Sequence, residues 1–219
     1  MKRVAVILCG CGVQDGSEIH EAVATLLALD RAGAEARVFA PRGPQHDVVD
    51  HLTGRPAPGQ TRDMLVESAR IARGRILDLA ELRTADVHAV ILPGGFGAAR
   101  NLCSFASEGA ACSVHPEVAR VLREAHHARK PIGALCIAPV IVARVLGAET
   151  HARLTIGNDP GTAAAVAQMG ARHVDAAVTD AIVDETNLIV TTPCYMLAGR
   201  ITEVFDGAAA LVHEVLALC

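Results

Sequence analysis

Tryptophan is missing from this chain and aromatic side chains of any kind are scarce: four Phe and one Tyr among 219 residues. A core must therefore be filled by Ala, Val, Leu and Ile, the bulk of an apolar fraction of 51%. Small and β-branched side chains suit a parallel sheet covered by helices, whose buried strands read as short apolar runs. Long apolar runs are also missing, since no stretch approaches the ~18 residues of a membrane helix. The opening Met1-Lys2-Arg3-Val4-Ala5-Val6-Ile7-Leu8-Cys9 has the look of a lipoprotein leader. Its apolar part, Val4–Leu8, is shorter than the roughly 7–15 residues such a leader needs, so it reads as a first strand. There are no blocks of like charge: 24 acidic and 20 basic residues leave a net charge of −4. Neither nucleic acid nor an anionic membrane is expected as a partner. Seven scattered cysteines, an odd number, do not form a secreted disulfide framework, and a reducing compartment, the cytoplasm, is expected. Cys9-Gly10-Cys11 has no second Cys or His pair at ligand spacing, so no metal is expected.

Strand and helix signals alternate along the chain. Strands are expected over Val4–Leu8, Ala36–Phe39, His88–Leu92, Pro131–Leu135 and Leu154–Ile156. The pair Ala181–Asp184 and Leu188–Thr191 reads as a hairpin turning on Asp184-Glu185-Thr186-Asn187. Helices are expected over Glu18–Arg31, Thr61–Arg73, Ala80–Thr84, Pro116–His127, Ile137–Leu146 (stopped by Gly147) and Gly161–Met169, with one long helix over Tyr195–Leu218. Pro41–Gln60 reads as a long loop. Strands separated by helices define βαβ units and a single α/β domain with a mostly parallel sheet between two helical layers.

In such a sheet, ligands bind beyond the carboxyl ends of the strands. Pro131-Ile132-Gly133-Ala134-Leu135-Cys136-Ile137-Ala138-Pro139 delivers a cysteine from a strand to a helix start. There the helix dipole would favour the thiolate, and Gly133 would leave room for a sharp turn. A cysteine after an apolar run is also a common core residue. Leu92-Pro93-Gly94-Gly95-Phe96-Gly97 opens a strand into paired glycines whose N–H groups can hold an oxyanion, or simply make a turn. Its spacing is not that of a nucleotide-binding loop. Asp15-Gly16-Ser17-Glu18-Ile19-His20-Glu21 begins a helix at the same edge. The helical wheel sets Glu21 opposite Ile19, Val23 and Leu26, the position of a solvated surface residue. His46-Asp47-Val48-Val49-Asp50-His51 has metal-like letters but no period bringing the two His together, and it reads as solvated loop.

These segments carry a resemblance. Leu92-Pro93-Gly94-Gly95 followed by Cys136 at a strand end resembles the PfpI branch of the class I glutamine-amidotransferase-like superfamily. Cys11–Glu21, Phe96–Leu102, Leu135–Pro139, Leu154–Asp159 and Thr191–Met196 resemble its ElbB-type members, and the likeness runs over essentially the whole chain. The resemblance implies a flavodoxin-like α/β/α sandwich, a homodimer, and cofactor-independent glyoxalase activity on a small dicarbonyl, loosely linked to isoprenoid biosynthesis. Cys136 matches the nucleophile, Glu21 the acidic residue beside its sulfur, and the N–H groups of Gly95 and Ile137 the oxyanion site. Gly94, Asn101, His20, Asp159 and Cys194 are further candidates for the pocket. One departure stands out: Ile137 follows Cys136 where many members have His, so no Cys-His-Glu triad is visible. An oxidation sensor built on the same thiol, or a deglycase or amidase, are the rival expectations.

Overall fold

The computed structural model describes all residues, Met1–Cys219. The chain opens with β1 (Arg3–Ile7), α1 (Ile19–Arg31) and β2 (Glu35–Ala40). A small antiparallel ladder, β3 (Val49–Asp50) with β4 (Arg55–Pro56), interrupts the long loop before α2 (Met64–Ile71) and β5 (Ile76–Asp78). Next come β6 (Ala89–Leu92), the short helices α3 (Phe96–Arg100) and α4 (Phe105–Glu108), α5 (Pro116–His127), β7 (Ile132–Leu135) and α6 (Pro139–Thr150). Strands β8 (Arg153–Leu154) and β9 (Arg172–His173) pair across α7 (Pro160–Gln168). Hairpin β10 (Ile182–Asp184) and β11 (Ile189–Thr192) leads to α8 (Ile201–Ala217).

Seven strands form one sheet in the order β10-β11-β7-β6-β1-β2-β5, parallel throughout except for the β10–β11 hairpin. Alternation along each strand divides the core between two faces. Ala5, Ile7, Val90, Leu92, Ile132 and Ala134 belong to one cluster with residues of α5, α6 and α7, while Val4, Val6, Leu8, Ala89 and Ile91 belong to another with residues of α1 and α8. This is the expected three-layer α/β/α domain. No helix is long and apolar enough to cross a membrane.

Several local expectations are corrected. Helix α6 starts at Pro139 rather than Ile137 and runs through Gly147 to Thr150. A Cβ at Gly147 would lie 2.7 Å from the Met169 carbonyl, so this glycine serves helix packing and not termination. The carboxy-terminal helix is interrupted: Cys194–Met196 forms a single 3₁₀ turn, and α8 begins only at Ile201. The Glu203 side chain accepts from the N–H groups of Gly199 (2.9 Å) and Arg200 (3.1 Å) and caps that start. Strand β5, only Ile76–Asp78, is too short to show a period of its own.

Candidate active site

The end of β7 meets three other segments here. The Cys136 N–H donates to the Thr192 carbonyl at 2.9 Å, continuing the β7–β11 pairing by one residue. At that point the chain turns sharply, with Cys136 at φ 59°. A non-glycine residue in this left-handed region costs about 1–3 kcal/mol and persists only where its surroundings hold it. The Ala138 N–H closes the turn onto the Leu135 carbonyl at 2.9 Å. Gly133 is not what makes room for the turn: a Cβ there would lie 2.9 Å from Leu211, so its role is to let α8 approach the sheet.

Glu21 is fully buried, which overturns the surface position of the helical wheel. Ile19 and Val23 are instead 40% and 42% exposed, and α1 turns Glu21, Ala22, Thr25 and Leu29 inward. The wheel fails because it counts a carboxyl as outward-facing and is blind to partners from distant segments. Here Glu21 Oε2 accepts the Gly94 N–H at 2.9 Å and Oε1 accepts the Tyr195 N–H at 3.2 Å. Cys136 stands alongside, since a Cβ at Gly94 would meet both Cys136 Cβ and Glu21 Oε2. Burial, helped by the nearby Glu18 carboxyl, raises the Glu21 pKa from 4.5 to about 7, against the pull of those donors.

Burial also pushes the Cys136 thiol up, and the neighbouring Glu21 carboxyl pushes it further, while the Gly95 N–H acts the other way. The thiolate expected from a helix start is therefore not the resting form. With α6 beginning at Pro139, the sulfur stands ahead of the dipole's positive end, inside a site short of water. The two groups act on each other's titration, which belongs to the pair, and the sulfur carries the proton that lies between them. Moving that proton from sulfur to carboxyl produces a thiolate without changing the net charge of the site.

Two main-chain amides complete the arrangement. Gly95, at φ 99°, lines the cavity beside Cys136, and its N–H draws the thiol pKa down. The Ile137 N–H, next in the turn, has no acceptor in the main-chain network. Gly94 is required by close approach, since a Cβ there would lie 2.6 Å from Cys136 Cβ and 2.8 Å from Glu21 Oε2.

The sulfur faces a cavity of about 520 Å³, lined by Gly95, Ile137, Val13, Glu18, Phe96, Ala99, Arg100, Phe105, Ala106, Asp159, Thr162, Tyr195 and Met196. Other candidates fall elsewhere. Asn101 is a clamp, donating through Nδ2 to the Cys9 and Asp15 carbonyls and accepting the His46 N–H. Cys194 is fully buried behind the site, with its thiol raised by burial and aimed at the Val204 carbonyl. His20 meets the Tyr195 hydroxyl at 2.7 Å and reaches the cavity only through that ring. Asp159 lines the rim, but its carboxylate caps α7 by accepting the Thr162 N–H at 2.7 Å, which holds its pKa below the usual range. His46 pairs with Asp47, and His51 accepts the Gln14 N–H, so neither is turned to this site. Glu18 lies within the Asp15–Glu21 segment without being singled out there, and Phe105 belongs to no motif. The one available signal for Phe105 is that two of only four Phe, Phe96 and Phe105, fall close together after the paired glycines.

A parallel-sheet sandwich with a cysteine on a strained strand-end turn, facing a glycine-rich loop, defines a class I glutamine-amidotransferase-like domain. No family model matches the chain. It is 51% identical over 99% of its length to the human mitochondrial glutamine amidotransferase-like class 1 domain-containing protein 3, of which it spans 83%. It is 37% identical to the mitochondrial ES1 protein of Danio rerio, over 98% of this chain and 85% of that protein. Among solved structures, an isoprenoid biosynthesis protein with an amidotransferase-like domain from Ehrlichia chaffeensis superposes with a TM-score of 0.93 at 36% identity, covering 100% of this chain and 99% of that one. A DJ-1 superfamily protein from Salmonella typhimurium superposes with a TM-score of 0.61 at 25% identity over 99% of this chain and 91% of that one. The chain belongs to the glutamine amidotransferase-like class 1 (ES1) family, within the DJ-1 superfamily.

Proposed function

We propose that this protein is a cofactor-independent glyoxalase of the ElbB type, converting a 2-oxoaldehyde and water into the 2-hydroxy acid. The observation that carries the reading is the buried Glu21 carboxyl on the Cys136 sulfur, raised to about 7 and so able to hold or release a proton at neutral pH. Glu21 takes the thiol proton as sulfur attacks the aldehyde carbon, and the resulting oxyanion is held by the Gly95 and Ile137 N–H groups. Glu21 gives that proton to the oxyanion and then removes the proton of the former aldehyde carbon, whose electron pair moves through an enediolate onto the neighbouring carbonyl oxygen. The hydroxyl proton passes across to that oxygen, and Glu21 delivers the carbon-borne proton to the neighbouring carbon. One carbon is oxidised and its neighbour reduced within the same molecule. A thioester remains, which water hydrolyses, restoring the thiol. No external oxidant, reductant, metal or glutathione enters this balance.

The lack of an imidazole on Cys136 weighs against the deglycase and amidase alternatives, which need an acid for a nitrogen leaving group. His20, which meets the cavity residue Tyr195, is engaged by its hydroxyl. A thiol raised by burial weighs against an oxidation sensor, which needs an exposed thiolate. The isoprenoid biosynthesis named for the Ehrlichia chaffeensis protein supports the ElbB-type placement. All seven cysteines are free, which supports a reducing compartment; we place the protein in the cytoplasm, although the vertebrate relatives are mitochondrial by name. The homodimer implied by the resemblance is part of the same proposal and is read by light scattering. Steady-state kinetics on a panel of dicarbonyls, amides and glycated amines tests the activity, with Cys136→Ser as control. Formation of 2-hydroxy acid by the wild type alone is expected. Turnover of amides in preference, or equal turnover in the variant, would overturn the reading.

A further inference from the structure

The cavity narrows the substrate class, an inference that rests on the glyoxalase reading. In a chain with only five aromatic residues, three of them, Phe96, Phe105 and Tyr195, line this one cavity. Of the other two, Phe39 lies in the core and Phe205 lines a groove between α1 and α8. The core is filled with aliphatic side chains, so packing does not explain where the aromatics stand. Phe96 is 49% exposed beside Val13 at 37%, an apolar edge left open to solvent at the cavity rim. Such a wall recognises apolar surface on a ligand.

Size and charge agree with that. Glyoxal, a two-carbon dialdehyde, would leave most of about 520 Å³ unfilled. Glu18 and Asp159 contribute carboxyl groups to the lining. The one cation there, Arg100, is paired with Asp47 at 3.1 Å and lies over the Phe96 ring at 5.6 Å, so it offers no free charge to an anion.

We propose that the substrate is a 2-oxoaldehyde whose ketone carbon bears a neutral apolar group, aryl or branched alkyl. That group packs on Phe96, Phe105 and Met196 while the aldehyde carbon meets the Cys136 sulfur. The reaction is R–CO–CHO plus water to R–CH(OH)–COOH, with no further reactant.

Initial rates of 2-hydroxy acid formation are measured for glyoxal, phenylglyoxal and 4-carboxyphenylglyoxal with wild type, Phe96→Ala, Phe105→Ala and Cys136→Ser. The wild type should show kcat/KM at least about tenfold higher for phenylglyoxal than for glyoxal, the scale of filling an apolar pocket. The added carboxylate should lower it by about tenfold. Each Phe variant should bring the phenylglyoxal-to-glyoxal ratio down by about fivefold or more, and Phe105→Leu should recover part of the loss. Glyoxal turned over as well as phenylglyoxal would overturn the inference and leave the glyoxalase reading standing. So would a ratio unmoved in both Phe variants. No Cys136-dependent turnover of any of the three would overturn both. If either Phe variant fails to fold, the wild-type panel still decides.

Discussion

Exchanging Glu21 for Gln separates the chemistry of the shared proton from its energetics. A carboxyl group satisfies the Gly94 and Tyr195 N–H donors with its two oxygens. The amide of Gln has one oxygen, so one of the two buried donors must face an NH₂ group. Leaving a buried donor unsatisfied costs about 1–3 kcal/mol. Against this, the wild type carries the cost of ionising a buried acid. A carboxyl raised from 4.5 to about 7 on folding is harder to ionise in the native state by about 3 kcal/mol. This group's contribution to stability is intact below pH 4.5, declines as pH rises, and is fully lost once pH passes about 7. Gln has no such dependence. The variant should therefore be less stable than wild type at pH 5, by about 1–3 kcal/mol. The gap should close by about 2–3 kcal/mol between pH 5 and pH 8.

Urea unfolding at the two pH values reads that gap, and kcat on the best 2-oxoaldehyde reads the chemistry. Without a proton carrier, kcat should fall by ~10²–10⁴-fold. Circular dichroism must show the same fold for the comparison to hold. Stability curves that run parallel across this pH range would refute the raised carboxyl. A kcat within about twofold of wild type, set against the ~10²–10⁴ expected of acid–base catalysis, would refute its role as carrier.

Three further outcomes follow from the geometry. Gly94→Ala should cut kcat by about 10²-fold or more, because its Cβ would displace the Cys136 and Glu21 side chains it meets at 2.6 and 2.8 Å; wild-type rates in a folded variant would remove the need for that close approach. Alkylation of Cys136 by iodoacetamide, followed by peptide mapping, should accelerate from pH 5 and level off above about 7 as the pair loses its first proton. A rate already level at pH 5 would mean a depressed thiol. Turnover should be insensitive to EDTA, since no three His, Cys, Asp or Glu side chains gather at ligand distance; loss on chelation restored by one metal would sink the thiol mechanism.

The strands that form the middle of the sheet are legible in the sequence because each is a short, continuous apolar run buried on both faces, as in Val4–Leu8 and Ala89–Leu92. Helix α5 is found to the residue, Pro116–His127, because proline marks its first turn and its apolar stripe is strong. Boundaries set by tertiary contact are not legible. Gly147 looks like a stop, yet it lets α6 pack against the segment after α7. The break before α8 depends on Glu203 reaching back to two main-chain amides. The site divides in the same way. The strand-end place of Cys136 is legible, but an apolar run reads equally as core, and the resemblance is what singles it out as a nucleophile. Glu21 is a core residue only because three segments distant in sequence supply its partners, so periodicity sends it outward and only resemblance brings it back.

That division explains how a thiol site can work without the histidine found in many relatives by resemblance. A Cys–His pair makes its thiolate by separating charge, which a polar, hydrated cleft can support. Here Cys136 is 7% exposed and Glu21 fully buried, and the cavity wall is largely apolar. An imidazolium–thiolate pair would lose much of its hydration in such a place. A carboxyl and a thiol sharing one proton keep the same single charge whichever of them holds it. The two forms then differ by the motion of one proton rather than by the solvation of an ion pair. On the proposed mechanism, the same burial that raises both groups lets the carboxyl carry a proton near neutral pH. The strained turn at Cys136 and the missing side chain at Gly94 hold the two groups together at the head of the cavity.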